Sequence, residues 1–277
     1  MDFHRWSSLF RSYDVTLRHN RFLLVLTLAG GIAGLVMGRG EWRASLLTAA
    51  TVGLVVFLAG TLAKEFYPDY PQAALPAAAA ALLFSFLAIP PFPVALAWLL
   101  GCVRFANRTT GLRPKITDLI VLLTVTGWLA WQDTPLFGIL MGIVLLMEFT
   151  LPDGRRAHAA IGVVLILASG AWLLGSDWSA DGPAPLLVLA LLAIAVSFIA
   201  VVLGSYDPQA IADVTGERLV PARVQAGQVF ALSAGLLSAS LYGERGIIVF
   251  LGLWAALLGC ASSYFLFSRS RHPVSSL

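Results

Sequence analysis

The chain has 277 residues, of which 58% are apolar and only 12% charged, with a formal net charge of +3 and a mean hydropathy of +0.84. A single water-soluble globule of that length cannot hide so much apolar surface, so the expected fold is all-α: a polytopic transmembrane bundle solvated by lipid. The same balance excludes nucleic acid as a partner, because the basic residues are dispersed and no soluble domain interleaves them with aromatic side chains.

Residues 1–21 carry Arg5, Arg11, Arg18 and Arg21 among Phe3, Trp6, Leu9, Phe10, Tyr13 and Leu17 at roughly helical spacing. This predicts a cytoplasmic amphipathic helix lying on the inner membrane surface. No small-residue cleavage site follows the first apolar run, so that run is expected to be a retained span. Residues 22–267 then form one transmembrane domain. Its predicted spans lie near 22–38, 44–63, 73–89, 92–105, 116–131, 134–149, 158–175, 184–204, 225–243 and 246–267, each judged against a ruler of about 20 residues. The fourth is short and starts at the cluster Pro90, Pro91 and Pro93. Residues 268–277 are a cytoplasmic tail.

Within the spans, Gly30, Gly34 and Gly38, and again Gly138 and Gly142, repeat at four-residue steps that suit close helix packing. The hydroxyls Thr48, Thr51, Thr124, Thr126, Ser197, Ser233 and Ser238 read mainly as helix glue. Cys102 and Cys260 are far apart and lack His partners, which makes them packing residues. No Lys, Arg, Asp or Glu lies near the middle of a predicted span, which argues against ion-coupled pumping.

With the N-terminus inside, only Arg39, Arg43 and Arg245 fall outside, leaving 15 of the 18 Lys and Arg residues in inner segments. This bias predicts a multi-pass protein of the inner (cytoplasmic) membrane with both ends in the cytoplasm. Trp42, Trp98, Trp128, Trp131, Trp172, Trp178 and Trp254 then fall in the outer half, as an interfacial aromatic belt would place them.

The loop after span 2 reads EFYPD (Glu65–Asp69) and the loop after span 6 reads EFTLPD (Glu148–Asp153). The loop after span 4 contains TGLRPK (Thr110–Lys115), and the loop after span 8 contains TGERLVPAR (Thr215–Arg223). Two matched pairs in the same order, each four spans apart, suggest a parallel four-helix internal repeat. Short loop motifs also coincide because Pro, Gly and charged residues are what interfacial loops contain.

Ionisable residues gather where helices meet the cytoplasm: Lys64, Glu65 and Asp69 close span 2, Glu148, Asp153, Arg155 and Arg156 close span 6, and Asp118 opens span 5. Asp207, Asp213, Glu217, Arg218 and Arg223 fill the longest inner loop. Facing acidic loops would make Glu65, Asp69, Glu148 and Asp153 candidate Mg²⁺ ligands, with Lys64, Arg155 and Arg156 as candidate phosphate contacts. The plainer reading is a set of solvated helix ends with interfacial ion pairs. No residue stands out as catalytic.

Acidic pairs in the loops after spans 2 and 6 resemble the two Asp-rich motifs of the intramembrane aromatic prenyltransferases of ubiquinone and menaquinone biosynthesis. That resemblance implies an all-helical enzyme with a cytoplasmic N-terminus, using motif-bound Mg²⁺ to ionise an isoprenoid diphosphate. Asp207, Asp213, Gly216, Pro221 and Gly227 also resemble the second motif and its helix entry, a competing placement after span 8. Thr61 stands where the family's first motif has Asn, and the family has nine spans against the ten expected here. The expected function is therefore a prenyltransferase-like protein handling an isoprenoid or lipid-linked diphosphate at the cytoplasmic face. The alternatives are a transporter of a small neutral solute or lipid, and a non-enzymatic membrane assembly protein. Membrane lipid is the expected partner in each case, and no oligomeric state is read from the sequence.

Overall fold

Prolines and glycines set many of the helix boundaries. The computed structural model describes residues 7–11, 13–38, 41–88, 93–132, 134–175 and 182–267. Among these, ten α-helices follow one another: α1 (Arg18–Met37), α2 (Trp42–Phe66), α3 (Ala74–Leu87), α4 (Pro93–Asn107), α5 (Ile116–Trp131), α6 (Leu136–Thr150), α7 (Arg156–Gly175), α8 (Pro185–Gly204), α9 (Pro221–Val249) and α10 (Leu251–Phe267). The described residues contain no strand beyond one isolated bridge between Ile211 and Arg218. Helices α4, α8 and α9 open on Pro93, Pro185 and Pro221, where a missing N–H costs nothing because first-turn donors have no intrahelical acceptor.

Each predicted span overlaps mainly one helix, with several ends moved by a few residues. A break was expected after residue 243, and the helix does break at Gly243; the chain then makes a further short helical stretch to Val249 before α10 begins at Leu251. Gly243 has φ 55° and ψ −134°, a backbone state that a residue with a Cβ reaches only under strain. Beyond the bend the chain returns to its own helix, and the Ser238 hydroxyl donates to the Gly246 carbonyl at 3.2 Å.

Residues 7–11 and 13–17 of the segment expected to be an amphipathic helix are not helical, and helix begins only at Arg18 with α1. Those residues form bends and turns, because their polar groups bond to distant partners: Ser8 N–H donates to Asp118 at 3.0 Å and Arg104 donates to the Leu9 carbonyl at 3.1 Å. Phe3, Arg5 and Trp6 lie outside the described residues, as do Arg39, Pro90, Pro91, Trp178 and the tail 268–277.

The chain divides into two compact units. One contains residues 1–12, 97–182 and 206–247, hence most of α4, all of α5, α6 and α7, and nearly all of α9. The other contains residues 13–96, 183–205 and 248–277, hence α1, α2, α3, α8 and α10. In this second unit α10 is buried along most of its length, and a Cβ on its Gly259 would collide with Ala77 of α3. The glycine steps do what their spacing predicts. A Cβ on Gly34 of α1 would meet Ala49 Cα and Thr48 O of α2, each at 2.6 Å, and one on Gly142 of α6 would meet the Gly162 carbonyl of α7 at 2.6 Å.

Five helices, α1, α2, α7, α8 and α9, are long and apolar enough to cross a membrane, while α3, α4, α5, α6 and α10 are shorter apolar helices. Large apolar side chains such as Leu28, Ile32, Leu167, Leu174, Leu186 and Leu189 stand exposed on α1, α7 and α8, which fits lipid rather than water as their neighbour. Trp42, Trp128, Trp131 and Trp172 are exposed, in keeping with a belt. Trp98 and Trp254 are buried inside the protein instead; Trp98 donates to the Thr126 hydroxyl at 2.8 Å and meets Phe137 edge-on. Thr48 and Thr126 bond the carbonyls one turn back, as expected of helix glue. Both cysteines are free and buried.

Candidate functional site

A fully buried carboxylate must be matched by donors, because an uncompensated charge away from water is very costly. Glu148, in the last turn of α6, is 0% exposed and receives donors from several elements of its unit. Arg108 Nη2 lies 2.5 Å from Oε1, and His158 Nδ1 lies 2.5 Å from Oε2. The Arg155 backbone N–H reaches Oε2 at 3.4 Å, and Arg223 Nη2 stands 3.9 Å from Oε1. Arg108 directly follows α4, His158 lies in the first turn of α7 and Arg223 in the first turn of α9. One carboxylate therefore ties the ends of four helices.

The local backbone is shaped for that convergence. Arg108 has φ 50° and Asp153 φ 64°, the left-handed state that turns the chain sharply at a helix end. Arg223 also donates to the Ala106 carbonyl at 3.1 Å and to the Pro152 carbonyl, so the cation holds the last turn of α4 and the α6–α7 loop together. A Cβ on Gly227 would strike Asn107, so α9 enters close against α4. The His158 ring packs at 5.5 Å from that of Phe105.

A second layer braces the same unit. Asp118 accepts from the Lys115 backbone N–H at 2.9 Å and from the Ser8 hydroxyl at 2.6 Å, while the Thr110 hydroxyl donates to the Ser8 carbonyl at 2.7 Å. The loops that follow α4 and α8 pair through Asp213 N–H to the Thr109 carbonyl at 3.1 Å and Val214 N–H to the Thr110 carbonyl at 3.2 Å. Arg11 Nη2 bonds Asp213 at 2.8 Å. Ala212, Leu219 and Val224 form a small apolar core under the longer loop.

The seven residues predicted as a site fall in both units. Glu148, Asp153, Arg155 and Arg156 belong to the unit just described. Asp153 pairs with Arg113 at 3.0 Å on the exposed rim, and the side chains of Arg155 and Arg156 are exposed with no ion pair among the described residues. Lys64, Glu65 and Asp69 belong to the other unit. Glu65 is fully buried, and Lys64 bonds Asn20 and lies 5.2 Å from the Tyr13 ring centroid. Burial pushes the Tyr13 phenol up, and hydrogen bonds from Thr16 hold the neighbouring Asp14 carboxyl below its usual value.

In this arrangement the carboxylate of Glu148 is engaged by protein groups. Its two oxygens already face a guanidinium and an imidazole, and among the described residues no group of three or more His, Cys, Asp or Glu could hold a metal ion. The partners of Glu148 were not singled out from sequence. Arg108 and Arg223 read there as loop charge, and the one local hint of His158 was a histidine at the mouth of an apolar helix.

Within this unit, apolar helices converge on a guanidinium-rich cluster of helix ends braced around a buried carboxylate. Comparison with protein-family models, with curated proteins and with solved structures finds no match.

Proposed function

We propose that the protein is an inner-membrane bundle of ten spans that binds a lipid-linked diphosphate, of the isoprenoid kind, at the guanidinium-rich end of the unit built on α4–α7 and α9. One observation carries this reading. The buried negative charge of Glu148 is matched by Arg108 and His158, while Arg155 and Arg156 at the start of α7 remain exposed with no ion pair among the described residues. Guanidinium groups take phosphate oxygens through two parallel hydrogen bonds, which suits a diphosphate. Below them the exposed face of α7 continues through Val163, Val164, Leu167 and Leu174, an apolar path on which a prenyl chain can lie.

In this reading neutralisation of the diphosphate falls to arginine, so binding does not require Mg²⁺. The resemblance to the aromatic prenyltransferases then concerns the class of ligand and its location more than a metal-dependent ionisation.

A parallel repeat and cytoplasmic ends belong to the same proposal. Helices α2 and α6 each carry a buried glutamate in the last turn, Glu65 and Glu148. Gly111 and Gly216, in the matched Thr-Gly loops, share positive φ values of 79° and 68°. Each unit is also built alike: three successive helices, a fourth from the opposite half, and one of the last two. These regularities support a duplication with the fourth helices exchanged.

The test is a thermal-shift titration of the full-length protein in detergent with an isoprenoid diphosphate and with the matching isoprenoid alcohol, each with and without Mg²⁺. Stabilisation by the diphosphate alone, independent of Mg²⁺ and weakened roughly tenfold or more by Arg155→Gln/Arg156→Gln, is expected from loss of charged hydrogen bonds. Equal responses to alcohol and diphosphate, or none to either, would refute it.

A further inference from the structure

Beyond that site, α1 of the other unit presents two guanidinium groups and an apolar ridge on one outward face. Arg18, Arg21, Phe22 and Val25 line a surface groove, and their spacing of three, four and seven residues puts them on a single side of the helix. The same side continues through Leu28 and Ile32, all of these large apolar residues being more than half exposed. The opposite side is taken up by α2, where Gly30 and Gly34 pack closely.

Arg18 and Arg21 are exposed, and among the described residues neither forms an ion pair. Close by, Lys64 is engaged by Asn20 and the Tyr13 ring, so the two arginines are the cations left to face outward. From Arg21 to Ile32 the helix rises roughly 16 Å, about one leaflet of a hydrocarbon core roughly 30 Å thick. We propose that this groove is a seat for one anionic phospholipid, its phosphate held between Arg18 and Arg21 and one acyl chain lying along Phe22, Val25, Leu28 and Ile32. Charge complementarity selects the headgroup, and the match of ridge to leaflet selects a chain-bearing lipid over a free anion. This site uses none of the residues assigned above to the diphosphate.

Native mass spectrometry of the full-length protein in mild detergent tests it, with phosphatidylglycerol, phosphatidylcholine and inorganic phosphate as probes. The expected result is preferential retention of phosphatidylglycerol that millimolar inorganic phosphate does not displace. Arg18→Gln/Arg21→Gln should weaken that retention roughly thirtyfold, from about one interfacial charge contribution per arginine. Arg18→Lys/Arg21→Lys should keep most of it, and the loss caused by Arg18→Gln/Arg21→Gln should be the same whether or not Arg155→Gln/Arg156→Gln is also present, which separates this site from the diphosphate site. Equal retention of the two lipids by the unaltered protein overturns the proposal, even should the glutamine variant fail to fold. Displacement by inorganic phosphate overturns it too, by reducing the site to one for free anions.

Discussion

Neutralising Glu148 would leave Arg108 and Arg223 close together with their shared counter-charge gone, in a place where water cannot replace it. Glu148→Gln is therefore expected to destabilise the protein by about 3–5 kcal/mol, the usual cost of breaking a buried pair. Asp153 is the natural control, since its ion pair with Arg113 is more than half exposed on both sides. Asp153→Asn should cost under about 1 kcal/mol, with asparagine also tolerating the left-handed backbone at that position. Denaturant unfolding of both variants in detergent checks the contrast, and equal losses would mean that Glu148 is not the tie it resembles. At this scale the sequence was only partly legible. Glu148 was read as an acidic loop residue matched to Glu65, but its cationic partners sit 40, 10 and 75 positions away. That pairing is decided by which helix ends the packing brings together, and no local pattern records it.

Among the elements, the glycine seams were readable, because a four-residue step of small residues has one efficient use in an apolar helix. Gly34→Val would drive a side chain into the α2 backbone at Thr48 and Ala49, and is expected to cost more than about 3 kcal/mol through overpacking and displacement of α1. Gly127 of α5 has nothing within 4 Å of its virtual Cβ, so Gly127→Ala should stabilise by about 0.5–1 kcal/mol through helix propensity alone. Thermal unfolding of the pair of variants tests opposite signs for the same type of residue. Gly243→Ala should lower stability by about 1–3 kcal/mol, since its φ of 55° with ψ of −134° suits glycine alone. The predicted end of the ninth span at residue 243 falls on this break; what hydropathy did not show is the short helical stretch that runs on to Val249 before α10. The amphipathic pattern before α1 misled for a different reason: spacing reports which face is apolar, whereas Ser8 and Arg11 are held by hydrogen bonds to Asp118 and Asp213, more than a hundred residues away.

For the whole molecule, the distribution of Lys and Arg predicts a sidedness that labelling can test. The ends of α4, α6, α7 and α9 that meet at Glu148 carry Arg108, Arg155, Arg156 and Arg223, and a membrane orientation that put them outside would require those charges to be translocated. Because Cys102 and Cys260 are buried and free, a cysteine introduced at the exposed Arg218 would be the accessible thiol among the described residues, in the loop that leads into α9. Labelling of Arg218→Cys by a membrane-impermeant maleimide is the most direct measurement. No labelling in intact cells and full labelling after the membrane is opened is the expected result, placing the guanidinium-rich end in the cytoplasm where a lipid-linked diphosphate would meet it. Strong labelling of intact cells would contradict the orientation and remove the proposed diphosphate site from the inner leaflet.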